Sequence, residues 1–185
     1  MNQNCGNINK VNGYKNMDIL IRKEEKKDYN DIFEINKSAF GQEEESKLID
    51  KIRSGDNFIS DISLVAEIDG KIIGHILFSK IEISGSSIFK SLALAPMAVV
   101  PEFQKKGVGS KLIKEGIRKA KDLEFESIIV LGHKDYYPRF GFQKASKWNI
   151  KCPFEAPDET FMAIELFENA LKDKSGTVVY PPEFM

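Results

Sequence analysis

Apolar residues recur along this chain at two spacings, every second position in some stretches and every third or fourth in others, and the switches between them mark out the elements. The segment DILIRKE (18–24) alternates as a strand does. It leads into KKDYNDIFEINKSAF (26–40), where Tyr29, Ile32, Phe33, Ile35, Ala39 and Phe40 gather near one helical stripe. A second helix is predicted in EEESKLIDKIRSG (43–55): glutamates crowd the positive N-terminal end, Leu48, Ile49 and Ile52 form the apolar face, and Gly55 ends it. Two alternating runs follow, ISLVAEI (62–68) and KIIGHILFSKIEI (71–83), and the Asp69-Gly70 pair between them signals a tight hairpin.

Beyond a GSS loop (85–87), SLALAPMAVV (91–100) is too apolar to keep one face in water and predicts a buried strand. Pro96 lies inside it and cannot donate to a ladder, so a bulge or break is expected there. An amphipathic helix is predicted from about Gly107 to Asp122, with Val108, Leu112, Ile113, Ile117 and Ala120 at helical spacing. SIIVLGH (127–133) reads as another buried strand, DYYPRF (135–140) as a short helix or turn, and TFMAIELF (160–167) as a late strand. The tail GTVVYPPEF (176–184) carries a Pro-Pro pair that favours an extended path over the body of the domain. The opening MNQNCGNINKVNGYKN (1–16) is polar and aperiodic and is expected to be a disordered extension, leaving 17–185 as one domain; Met1 and Met17 both stand as starts. The pattern sums to an α/β fold: a mixed, mostly antiparallel twisted sheet of about six or seven strands with helices on both faces.

Composition narrows the function. The chain has 185 residues, 42% hydrophobic and 30% charged, enough for one proper core. A net charge of -1 gives no global basic field, which argues against nucleic acid as a partner and makes any anion site a local one. The two cysteines, Cys5 and Cys152, have no CxxC spacing and no histidine ladder accompanies them, so no metal is expected and a reduced, cytoplasmic setting is the default. Neither a long apolar run nor a basic-then-apolar leader is present, so no membrane span and no export are expected.

The chemistry concentrates where the buried strand meets the amphipathic helix, in VVPEFQKKGVGSKLI. A helix opening on Gly107 presents backbone N–H groups without intrahelical acceptors, and its dipole adds partial positive charge; such an end binds phosphate oxygens. Gly107 and Gly109 leave room for a diphosphate to reach the backbone, while Gln104, Lys105 and Lys106 add donors and charge. A Walker loop needs GxxxxGK[ST] and a dinucleotide fingerprint needs GxGxxG in a parallel βαβ unit; SKLIK after Gly109 satisfies neither.

The hexapeptide QKKGVG, after a strand ending in proline and before an amphipathic helix, resembles the acyl-CoA loop Q/R-x-x-G-x-G/A of the GCN5-related N-acetyltransferase (GNAT) superfamily. The matching residues run MAVVPEFQKKGVGSKLI (97–113), and a second family motif, Y-x-x-x-G-F, stands as YPRFGF (137–142). Element order from about Asp18 to Leu166 agrees, and GHILFS, YYPRFGF and the GTVVYPPEF tail are similar to a subgroup of bacterial acetyltransferases. The resemblance implies a sheet splayed between its fourth and fifth strands and acetyl-CoA as co-substrate. Pantetheine would pair with the backbone of Ala98, Val99 and Val100, and the pyrophosphate would rest on the amides from Lys105 through Lys106, Gly107, Val108 and Gly109 to Ser110. It implies Tyr137 as the acid that protonates the departing thiolate; for the base, His133 at the end of the fifth strand, Glu45 and a water relay all stand. Glu45 falls in the region that lines the acceptor side. The pocket is expected between the first two helices, the loop joining the third and fourth strands, and the tail. The implied reaction is direct acetyl transfer to a primary amine, on a small molecule or a protein N-terminus, by a monomer or homodimer. A non-catalytic acyl-CoA sensor is the alternative, against which the retention of Tyr137 speaks. His75 shares strand parity with its apolar neighbours and is expected to be buried and hydrogen-bonded.

Overall fold

The computed structural model describes residues 18–185, so the expected disordered extension (1–16) and Met17 lie outside the described residues. The chain enters through β1 (Leu20–Lys23) and two helices, α1 (Tyr29–Phe40) and α2 (Glu44–Ser54). Gly41 ends α1 in the left-handed region, φ 74°, and its N–H donates to the Lys37 carbonyl at 2.9 Å. Between β2 (Phe58–Ile68) and β3 (Lys71–Ser84), Asp69 and Gly70 both have positive φ, 49° and 76°, the geometry that matches a tight turn to the twist of the strands.

The decisive irregularity lies in β4 (Ile88–Val99), antiparallel to β3. Ile76 faces Met97 and Phe78 faces Leu94, so two steps on β3 match three on β4 and the extra residue falls at Ala95-Pro96. The bulge expected from Pro96 is there. After α3 (Val108–Asp122), β5 (Ser127–Leu131) returns parallel to β4 but pairs only at Leu92 with Ile128 and Ala93 with Ile129. Beyond those pairs the two strands part.

The sheet has nine strands among the described residues, not six or seven. Two of the extra ones, β6 (Gln143–Lys144) and β7 (Ile150–Lys151), are too short to show a period. After β8 (Phe161–Glu165), antiparallel to β5, the tail supplies another: β9 (Gly176–Val179) pairs antiparallel with β3 and parallel with β7 instead of merely crossing the surface. The cause is a length mismatch. β3 runs past the last β2 partner, which pairs with Ser79, and the open edge at Glu82 to Ser84 takes β9.

Helices cover both faces. On one, α3 buries Leu112 and Ile113 against Ile76, Phe78 and Ile128; on the other, Ile32, Ile49 and Ile52 of α1 and α2 pack on Val65 and Leu77. No helix among the described residues is long and apolar enough to cross a membrane.

Candidate active site

The parting of β4 from β5 opens a cleft of about 1760 Å³ through the sheet. Just before the gap the strands are pinned: the buried Ser91 and Ser127 hydroxyls lie 2.8 Å apart, and Ser91 also bonds the Ser127 carbonyl at 3.2 Å. Gln104, Lys105 and Gly109 line one end of the cleft, Leu94–Val99 and Leu131–Tyr137 its middle, and Phe40, Glu45, Leu48, Phe154, Tyr180 and Phe184 the other end.

At the first end Gly107 caps α3 with φ 88°, after Lys105 with φ 58°. Lys111 is the residue whose N–H returns to the Gly107 carbonyl, at 3.0 Å, which leaves the amides of Val108, Gly109 and Ser110 in the first turn, where a helix offers no acceptors of its own. A Cβ placed on Gly107 meets nothing within 4 Å, so the space in front of these amides is open. The Lys106 ammonium lies 5.5 Å over the Phe103 ring, and Lys105 faces the cleft. Gln104, read from the sequence as a phosphate donor, instead gives its side-chain N–H to the Val99 carbonyl at 3.0 Å and braces the loop.

Strand register revises which backbone groups of β4 face the gap. The Val100 N–H donates to Ile73 at 2.9 Å, and His75 stands opposite Ala98. Hydrogen-bonding direction alternates along a strand, so the amides of Ala98 and Val100 point to β3 while those of Met97 and Val99 point to the gap. Of Ala98, Val99 and Val100, Val99 presents its N–H to the gap, and so does Met97, which the sequence reading did not name. Counting outward by twos from a known pair would have found it, but the pair itself depends on where the bulge falls.

His133 sits two residues beyond β5, exposed, and its carbonyl accepts from the N–H groups of Tyr136 at 3.0 Å and Tyr137 at 3.4 Å, starting a single 3-10 turn over Tyr137–Phe140. That turn buries Tyr137 edge-on to Tyr136 and Phe142, with ring centroids 5.3 and 5.6 Å away. A Cβ on Gly132 would lie 2.2 Å from the Tyr137 ring, so glycine there is what lets the ring pack on the end of β5. Burial, with Tyr136 adding to it, pushes the Tyr137 hydroxyl up to about 12. The Arg139 guanidinium stacks 4.4 Å over Tyr136, whose hydroxyl in turn reaches to 2.7 Å from where a Gly109 Cβ would be. The structure thus brings Tyr137, His133 and the α3 N-terminus to one cleft.

Glu45 also lines the cleft, at its far end on α2, half-buried, with both carboxylate oxygens accepting from Gln42 at 3.1 and 3.2 Å. The loop between β3 and β4 is not a wall of the pocket. Its Gly85 packs on Ser175, and the segment from Pro153 to Pro157 lines the cleft in its place. Phe154, Tyr180 and Phe184, which form an aromatic run there, carry no sequence signal, since β7 and β9 fix their positions by long-range pairing.

His75 is buried, as expected, and outside the cleft lining. Its Nε2 lies 3.1 Å from Glu24 and 3.2 Å from the Ser63 hydroxyl, and Arg53 grips the same Glu24 through two bonds of 2.9 and 2.8 Å. Burial pushes Glu24 up, but hydrogen bonds from His75 and Arg53 outweigh it and hold the carboxyl at about 2. Burial lowers His75, against the raising effect of Glu24.

Residues 29–142 match the Acetyltransferase (GNAT) family. The uncharacterized N-acetyltransferase YjhQ of Escherichia coli K12 is 36% identical over 137 residues, 73% of this chain and 76% of that protein. The uncharacterized N-acetyltransferase YhbS of the same strain is 29% identical over 167 residues, 90% and 98% of the two chains. The crystal structure of Escherichia coli YhbS in complex with CoA has a TM-score of 0.85 at 27% identity, covering 91% of this chain and 93% of that one. A GNAT family acetyltransferase from Brucella melitensis in complex with acetyl-CoA has a TM-score of 0.75 at 28% identity, covering 92% and 100%. The chain belongs to the GNAT acetyltransferase family, and it is an acyltransferase.

Proposed function

We propose that the protein moves an acetyl group from acetyl-CoA to a primary amine by direct attack within one ternary complex. The observation that carries this is the cleft: it runs from the α3 N-terminus through the gap to a separate apolar end, and its 1760 Å³ exceeds the roughly 300–1,000 Å³ typical of a pocket for one small ligand. Two substrates held side by side need no acyl-enzyme.

The amides of Val108 to Ser110 and the charges of Lys105 and Lys106 suit the pyrophosphate, and the open space before Gly107 admits it. The outward N–H of Val99 suits strand-like pairing with pantetheine. The outward N–H of Met97, beside the bulge, is placed to bind the thioester oxygen as it gains charge, an effect worth about 3–4 kcal/mol for one such donor elsewhere. As the amine nitrogen bonds to the carbonyl carbon, its proton leaves to His133 or to water; the C–S bond then breaks and the Tyr137 hydroxyl protonates the sulfur. With its pKa near 12, Tyr137 starts in the donating form across the neutral range.

Tyr137→Phe tests the assignment. The expected result is kcat lowered about 100-fold, the lower end for loss of a general acid, with acetyl-CoA affinity unchanged. An unchanged kcat removes Tyr137 from the reaction.

A further inference from the structure

Resting on the acetyl-transfer reading, we infer that the acceptor is a small amine carried on an aromatic or flat apolar body, the class represented by arylalkylamines. The body lies on the ring wall of Phe154 and Tyr180, and Glu45 draws the ammonium group.

Three observations converge. First, nine large apolar side chains are exposed among the described residues, and five of them, Phe40, Leu131, Phe154, Val179 and Met185, line this one cleft. Apolar surface gathered in one concavity marks a binding site for apolar matter. Second, Phe154, Tyr180 and Phe184 form a continuous run, with centroids 6.1 Å apart at 25° and then 5.0 Å apart at 40°. Phe154, at the outer end, is stacked on one side and still 51% exposed, so it has ring surface left for a further ring. Third, the charged groups of this end are carboxylates. Glu45 accepts only from the neutral Gln42 amide among its hydrogen bonds, and Glu155 lines the same region. Lys134 faces Glu159 at 4.0 Å, and Lys105 stands at the phosphate end.

Other amines suit these walls less well. A polyhydroxylated amine needs donors and acceptors for each hydroxyl, which a wall of phenylalanine and leucine does not offer. Leu48 and Glu45, one turn apart on α2, instead set an apolar and an acidic group side by side, which matches an amine close to its apolar body.

The test is a panel of acceptors with thiol release as readout: 2-phenylethylamine, butylamine, spermidine and an alanine-starting peptide, each with the wild type, Phe154→Ala and Glu45→Gln. Acetyl-CoA binding is followed separately by thermal shift. The expected result is a kcat/KM for 2-phenylethylamine about 10-fold above that for butylamine, the upper range of one added ring contact. Phe154→Ala should collapse that ratio towards one, and Glu45→Gln should raise KM for the amine while acetyl-CoA affinity holds. Preference for spermidine or the peptide, or a ratio that survives Phe154→Ala, overturns the inference. A thermal shift with acetyl-CoA but no acetylation of any amine also overturns it and leaves cofactor binding standing. Absence of the shift overturns the acetyl-transfer reading itself.

Discussion

Burial raises both Tyr137 and Glu24, but only Tyr137 ends above its ordinary value; Glu24 and its partner His75 end below theirs. For Tyr137 nothing opposes desolvation, and the hydroxyl is held in its acid form. For Glu24, burial is outweighed by Arg53 and His75, so the folded carboxyl stays ionised well below the usual carboxylate range. Both Glu24 and His75 have folded values below their unfolded ones, so for both the unfolded chain binds protons more readily as pH falls. Stability is therefore expected to be full above about pH 6.5, to start falling as the unfolded histidine protonates, and to fall further from about pH 4.5 towards 2 as Glu24 titrates. Urea unfolding between pH 8 and 2 checks this, with Glu24→Gln expected to remove the lower part of the dependence; a flat profile would mean that the cluster does not couple to folding. Strand parity made His75 legible as buried. Its partners were not, because Glu24 meets it from just past the end of β1 and Arg53, on α2, acts on it through Glu24, tertiary packing that no local pattern encodes.

The site is made by the elements β4, β5 and α3, and their sequences announced it. Pro96 forecast the bulge because a residue without an N–H cannot sit in an unbroken ladder, and Gly107 forecast the helix start because it adopts φ 88°. The direction of each amide along β4 was not legible, since the bulge shifts the register by one residue and with it the groups that face the gap. The short β6 and β7 and the pairing of β9 were hidden for a related reason: two-residue strands exist only through their partners. The α3 N-terminus carries its own prediction. Gly109→Leu places a side chain in the cleft beside the Tyr136 hydroxyl and is expected to raise the acetyl-CoA Kd by at least about 10-fold, or 1.4 kcal/mol, with the fold intact by circular dichroism. Wild-type affinity by calorimetry would move the phosphate site elsewhere.

At the scale of the molecule, one cleft couples the two faces of the sheet. The α3 face carries the end proposed to take phosphate, while the opposite face, closed by α1, α2 and the tail, carries the apolar end. The tail is tied into this arrangement twice, by β9 on the edge of β3 and by Phe184 packed against both core groups of that face. The central claim is that the gap between β4 and β5 holds acetyl-CoA, and a thermal melt tests it directly. At 100 times its Kd, a ligand adds about 2.7 kcal/mol, and in a domain of this size that is roughly 5–10 °C of Tm. The expected result is such a rise with acetyl-CoA and a much smaller one with adenosine diphosphate, which can fill only the α3 end. An unchanged Tm with acetyl-CoA would contradict the account at its base.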